Sequence, residues 1–219
     1  MPIKKLFPFV TADIALFTID DDTLRVLLVK RANPPAKGAW ALPGGAIDPD
    51  ADASLDEAAR RVLSGKTLVD VPFLEQVATF SGAARDPRGW SLSALYYALL
   101  PRDQISAVAG RKTEAIAWAN AFAADVELAF DHAELLATAL EKLRDKVERA
   151  ALPLHLLPER FTLTELQRTC EIIQGRALDK SSFRRRLKDE PNLIELEGEF
   201  LRGAQRPAQL YRAIEGFRF

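Results

Sequence analysis

The chain has 219 residues, enough for one large domain or two modest ones, and 48% of them are apolar, as in ordinary globular proteins. Its 30 Lys and Arg against 31 Asp and Glu leave a net charge of −1. That excludes a globally basic polyanion binder and moves any such role to a local patch. No apolar run approaches the ~20 residues of a membrane helix, and the start, MPIKKLFPFV, lacks the apolar core and small-residue cleavage site of a signal peptide. The single cysteine, Cys170, excludes an internal disulfide and reads as an apolar helix residue in a reducing compartment, so a cytoplasmic protein is expected.

Residues 9–19 (FVTADIALFTI) and 24–30 (LRVLLVK) are β-rich and flank Asp20-Asp21-Asp22, a hairpin-type loop. Val26 to Val29 are apolar on both faces, as in a central strand. A loop over 31–38, punctuated by Pro34-Pro35, leads through Trp40-Ala41-Leu42 to Leu42-Pro43-Gly44-Gly45. Two glycines there let backbone approach backbone or ligand with no Cβ in the way. Ser54-Leu55-Asp56-Glu57 is a capping box, and Leu55, Ala58, Ala59, Val62 and Leu63 recur at helical spacing beyond it.

Two more strand-like runs follow at 73–80 and 92–100, separated by the polar loop 81–89. A short strand at 115–119 and a helix around 124–128 come next. Asp131 caps a long helix from His132 to about Ala151, with Glu134 in the capping-box position. Its stripe is Leu135, Leu136, Ala139, Leu140, Leu143 and Val147. His132 beside Asp131 reads as a neighbour of that cap, and Asp48, Asp50 and Asp52 read as loop acids at a solvated turn. Residues 152–159, with Pro153 and Pro158, cannot continue the helix and read as a linker. The expected organisation is a domain at 1–151, the linker 152–159 and a second domain at 160–219.

In the last third, Thr162-Leu163-Thr164-Glu165 is another capping box, opening a helix that Gly175 ends. Asp179 caps a second helix over 180–189 that carries Lys180, Arg184, Arg185, Arg186 and Lys188, with Phe183 and Leu187 as buried anchors. Strand-like segments at 192–196 and 209–213 flank a loop over 198–207 containing Arg202 and Arg206. Helix, tight turn, basic helix and hairpin is the order of a winged helix-turn-helix. A helix in the major groove puts side chains from its N-terminal half on base edges, with flanking lysines and arginines on phosphates. The candidate DNA contacts are Thr162, Lys180, Ser181, Ser182, Arg184, Arg185, Arg186, Lys188, Arg202 and Arg206. A basic helix also serves as a solvated face or grips an acidic protein.

The Gly-Gly turn feeding an amphipathic helix resembles the Nudix box, whose glutamates, one helical turn apart, hold Mg²⁺ for hydrolysis of nucleoside diphosphate derivatives. Allowing a short insertion near Asp50–Asp52, Arg61 matches the box arginine. The glutamate positions fall on Ala53, Val62, Gly65 and Lys66, and the late glycine falls on Leu68. Magnesium demands hard oxygen ligands, which these residues lack. The fold signature survives and the metal chemistry does not.

Together with FTLTELQ, FRRR and RPAQLYR in the last third, and with Phe130-Asp131-His132 and Arg85-Asp86-Pro87-Arg88-Gly89, the chain resembles the Nudix-related transcriptional regulators of NAD metabolism, the NrtR family. The resemblance covers essentially the whole chain. It implies an α/β/α Nudix-like sandwich with a mixed sheet, followed by a winged helix-turn-helix. It implies a homodimeric repressor on a palindromic double-stranded DNA operator, released by ADP-ribose or a related NAD-derived nucleotide, with no cofactor required and no membrane partner. Candidates for the diphosphate are Arg31, Arg61, Arg85 and Arg88, and for an adenine wall Trp40 and Phe80. The alternatives are an active hydrolase of ADP-ribose-type substrates, drawing ligands from Glu57 or Glu75, and a ligand-binding scaffold whose winged helix grips protein.

Overall fold

The computed structural model describes residues 8–105, 110, 112–123, 126–149, 151–202, 207–217 and 219. Two long strands, β1 (Phe9–Asp20) and β2 (Thr23–Arg31), form an antiparallel hairpin. Asp20 pairs with Thr23, so the loop is only Asp21 and Asp22, both at positive φ (48° and 54°). Two successive left-handed residues make a turn whose twist matches the strands, and aspartate tolerates that conformation better than most side chains.

β1 is the spine of a seven-stranded mixed sheet. It runs parallel to β6 (Ser91–Leu99) and antiparallel to β2 and to the short β4 (Gly44–Ala46). β5 (Phe73–Gly82) lies beyond β6, while β7 (Thr113–Asn120) and β3 (Trp40–Ala41) pair with β2. Side chains alternate across a strand. Ala12, Ile14 and Leu16 therefore meet α1 (Leu55–Thr67) through Ala59, Val62 and Leu63, while Ala15 and Phe17 face the layer of α2 (His132–Glu148). The whole expected stripe of α2 is buried, each Leu contributing about 1.5–3 kcal/mol through the area it removes from water.

The expected helix around 124–128 does not form over its described residues, 126–128. Leu128 instead bridges to Trp40, and the Ala129 N–H donates to the Trp40 carbonyl at 2.8 Å, so this backbone is spent on the edge of the sheet. α2 ends at Glu148, three residues before Ala151. Its cap residue Asp131 makes no side-chain capping bond, because its carboxylate is engaged elsewhere.

Residues 152–157 are not a loose strand of chain. Leu152, Leu154, Leu156 and Leu157 are 3–6% exposed and belong to one apolar core with α2 and the elements that follow. These are β8 (Phe161–Thr162), α3 (Leu163–Gln174), α4 (Lys180–Arg186), β9 (Leu193–Leu201) and β10 (Ala208–Ala213), with sheet order β8-β10-β9. Thr162 and Glu165 make both bonds of a reciprocal capping box, and Gly175 closes α3 at φ 68°. α4 is shorter than its expected 180–189. β9 runs through Gly198 to Leu201, so the first residues of the expected loop over 198–207 belong to a strand.

Candidate functional site

A cavity of about 550 Å³ opens where the Gly-Gly turn, the end of α1 and the start of α2 meet β1 and β2. Its floor is Asp13, a buried acid in an otherwise apolar strand. Asp13 Oδ2 accepts from the Ser93 hydroxyl at 2.5 Å and the Thr11 hydroxyl at 3.2 Å. Gly44 is required sterically, and Gly45 sits in a tight fit. A Cβ on Gly44 would stand 1.8 Å from Asp13 Oδ1, and one on Gly45 would stand 3.1 Å from Val62 Cγ2.

His132, the first residue of α2, completes the floor. Its Nδ1 accepts the Leu42 N–H at 2.9 Å, which leaves the ring proton on Nε2, 3.7 Å from Asp13 Oδ1. Burial pushes the His132 pKa down, against the pull of Asp13 and Asp131, so the ring is neutral. A sequence reading as a cap neighbour misses this role.

The walls are cationic. Arg85 closes on Asp131 with two hydrogen bonds, 2.8 and 3.0 Å, and Arg88 on Asp86 with its shortest at 2.6 Å. The Arg88 guanidinium also lies 4.0 Å over the Phe9 ring, and that of Arg31 lies 4.8 Å over Phe130. Arg31 Nε donates to the Pro35 carbonyl. Lys66 and Lys112 line the same space, and among the described residues no carboxylate lies within salt-bridge reach of either. Burial, then Arg31 and Lys112, lower the Lys66 pKa. Burial and Arg88 lower that of Arg31. Among the described residues five cations face three carboxylates, Asp13, Asp86 and Asp131, so with His132 neutral the excess is two positive charges.

Of the expected ligand residues, the cavity gathers Arg31, Arg85 and Arg88 and leaves out three. Arg61 points away, bound to Asp52 at 2.5 and 2.7 Å and to the Ala46 carbonyl at 3.0 Å. It fastens the box loop and holds the Asp52 carboxyl down to about 2. Trp40 and Phe80 pack against the core on the α2 side, since their rings satisfy burial there. The rings at the cavity are Phe9 and Phe130. Asp13 had a signal in the sequence, being the lone acid in FVTADIALF; Lys112 had none.

The residues expected at the box's glutamate positions have defined surroundings. Val62 packs beneath Gly45, Gly65 lies against Gly110, and Lys66 enters the cavity. Among the described residues, no three His, Cys, Asp or Glu side chains converge to hold a metal ion. Glu57 accepts the Ala53 N–H at 2.9 Å, while Glu75 pairs with Lys146 at 2.5 Å and receives the Tyr97 hydroxyl at 3.3 Å on the other side of the sheet. Neither lines the cavity.

A second candidate surface is α4. Its Asp179 cap receives the Ser182 N–H at 2.8 Å, and Phe183 and Leu187 are buried. Lys180, Ser181, Ser182, Arg185, Arg186 and Lys188 are exposed, as is Arg202 at the end of β9. Arg184 is half-buried, donating through Nη2 to the Thr164 hydroxyl at 3.3 Å. Thr162 is a correction: it is 4% exposed, its hydroxyl accepts from Glu165 N–H and its own N–H donates to the Glu165 carboxylate, so it is buried in the α3 cap and not presented to DNA. Arg206 lies outside the described residues. The exposed face presents cations at a spacing suited to a polyanion.

Comparison with known proteins assigns both halves. A NUDIX domain profile matches residues 10–142, and the profile of the NrtR DNA-binding winged helix domain matches residues 153–213. The chain is 43% identical over 218 residues to an ADPR responsive transcriptional repressor, NtrR, of Acinetobacter baylyi, covering 97% of this chain and 85% of that one. NrtR of Shewanella oneidensis complexed with a 27mer DNA superposes with a TM-score of 0.82 at 38% identity, covering 94% and 93% of the two chains. The NUDIX domain of that same regulator, complexed with ADP ribose, matches at 38% identity with a TM-score of 0.58, over 65% of this chain and 93% of that one.

Proposed function

From the premise that this chain belongs to the NrtR family of transcriptional regulators, we propose that it is an ADP-ribose-responsive repressor of genes of NAD metabolism. One observation carries the reading: α4 and the turn that ends it expose Lys180, Arg185, Arg186 and Lys188 while Phe183 and Leu187 anchor them from below. Laid in a major groove, such a helix turns arginines toward guanine edges and lysines toward phosphates. Phosphate neutralisation supplies much of the affinity and makes it fall steeply with salt.

The effector is ADP-ribose or a related NAD-derived nucleotide, held in the cavity over Asp13. An excess of two positive charges suits a diphosphate carrying two negative ones. Two copies of the chain, as a homodimer, read half-sites about one helical turn (~34 Å) apart in a palindromic operator. A ligand that binds the DNA-incompetent arrangement more tightly lowers DNA affinity by that ratio, and no cofactor is needed. Val62, Gly65 and Lys66 stand at the positions where a hydrolase's box needs carboxylates, and Lys66 brings an ammonium to the cavity wall, so the domain senses its nucleotide without consuming it. The protein works in the cytoplasm, on DNA.

A gel shift on palindromic upstream DNA, at two salt concentrations and with or without ADP-ribose, tests this. Binding must weaken steeply with salt and fall when ADP-ribose is added. Salt-insensitive binding, or a complex indifferent to ADP-ribose, overturns the reading, and so does AMP formation from ADP-ribose and Mg²⁺ at ordinary enzyme rates.

A further inference from the structure

We propose that Lys66 and Lys112, with Arg31, form a metal-free clamp for the diphosphate of the nucleotide effector, their charges standing where a divalent cation would otherwise neutralise it. This rests on the effector assignment above and goes beyond it, naming the groups and the ion-independence of the site.

Backbone contact builds the clamp. The Gly110 N–H donates to the Lys66 carbonyl at 2.8 Å, and the Thr113 hydroxyl to the same oxygen at 3.3 Å. Gly110 comes so close that a Cβ there would stand 2.5 Å from the Gly65 carbonyl and 2.8 Å from the Lys66 carbonyl carbon. Only glycine permits that approach. Gly110 and Thr113 are thereby fixed against the end of α1, and Lys112 lines the same cavity wall as Lys66.

Charge then selects the occupant. Arg85 and Arg88 are neutralised by Asp131 and Asp86 in two-pronged pairs. Set those aside, and among the described residues Arg31, Lys66 and Lys112 remain against Asp13, an excess of two positive charges inside the cavity. Like charges held together disfavour one another, and after burial the charges of Arg31 and Lys112 lower the proton affinity of Lys66. A dianion relieves that repulsion and gains charge-assisted hydrogen bonds. A magnesium ion would add to it, and would find an ammonium on the wall where it needs an oxygen.

Calorimetric titration of the full chain with ADP-ribose, in EDTA and again in Mg²⁺, tests the clamp. The affinities should be equal. Lys66→Met, which keeps length and removes charge, should weaken binding by about 10- to 100-fold, the loss of one charge-assisted contact. Lys66→Arg should retain most of the affinity, and Lys66→Met/Lys112→Met should lose more than either single change. In the gel shift, Lys66→Met should hold operator at ADP-ribose concentrations that release the parent. Binding that requires Mg²⁺, or unchanged affinity in a Lys66→Met protein that unfolds at the parent's temperature, overturns the clamp and leaves the repressor reading standing. No binding of ADP-ribose by the parent in either buffer overturns both.

Discussion

The main chain at Gly44 passes so close to Asp13 that a Cβ on the glycine would stand 1.8 Å from the carboxylate oxygen Oδ1. Glycine is therefore the condition for keeping Asp13 in place, bonded to Ser93 and Thr11 and facing His132. Gly44→Ala must displace a buried carboxylate from its donors. A loss of about 2–4 kcal/mol is expected in urea unfolding, together with weakened ADP-ribose binding. Wild-type stability in that variant would refute the steric account.

Leu68 closes α1 in the left-handed conformation (φ 56°, ψ 21°) and is 60% exposed. Its Cβ suffers in that region, and its side chain gains little from burial. Leu68→Gly should stabilise the protein by about 0.5–1 kcal/mol, seen as a higher urea midpoint at unchanged slope. ADP-ribose affinity should not move, because Leu68 does not line the cavity.

His155 is stacked on Phe73, with ring centroids 4.7 Å apart, and lies 5.1 Å from Phe217. Its Nε2 finds no hydrogen-bond partner among the described residues. Burial pushes its pKa from 6.5 down to about 4. The unfolded chain therefore takes up a proton that the folded ring refuses, so the contribution is full above pH 6.5 and is lost as pH falls toward 4. His155→Phe should flatten the stability profile across that window by up to one proton, about 1.4 kcal/mol per pH unit. His132, buried and lowered in the same direction, keeps some slope in the variant.

Arg185 and Arg184 are neighbours on α4 with different surroundings. Arg185 is exposed, whereas Arg184 is half-buried and tied to Thr164. Arg185→Ala should lower operator affinity by about 1–3 kcal/mol, relax the preference for operator over other sequences and leave unfolding and ADP-ribose binding unchanged. Arg184→Ala should cost stability as well, because it removes packing and a hydrogen bond. Equal thermal unfolding of the two variants would contradict that distinction.

The β1–β2 hairpin and the stripe of α2 are legible in the sequence because each is a local periodic pattern, and burial follows the pattern. The winged helix is legible through its caps, Thr162, Gly175 and Asp179, which mark element ends by short-range bonds. The cavity is less so. Trp40 and Phe80 are large rings near the box, but ring size does not say which way a side chain turns, and both turn to the core. Lys112 acquires its place only when Gly110 docks on the end of α1, a contact between segments far apart in the chain. Arg61 has the right position in the box, but Asp52 claims it first. Alanine-rich residues near 124 suit a helix on composition, yet the backbone of Leu128 and Ala129 is bonded to Trp40.

Leu152, Leu154, Leu156 and Leu157 leave no hinge between the sandwich and the DNA-reading helices. Arg144 and Gln174 reinforce the joint, Arg144 Nε donating to the Ile173 carbonyl at 3.1 Å and Gln174 Nε2 to the Arg144 carbonyl at 2.9 Å. The chain thus behaves as a stiff lever. Tilting its cavity-bearing end by a few degrees swings α4 as part of the same solid body. In the homodimer proposed above, the message reaching DNA is then geometric, a change in the span and angle between two rigid arms.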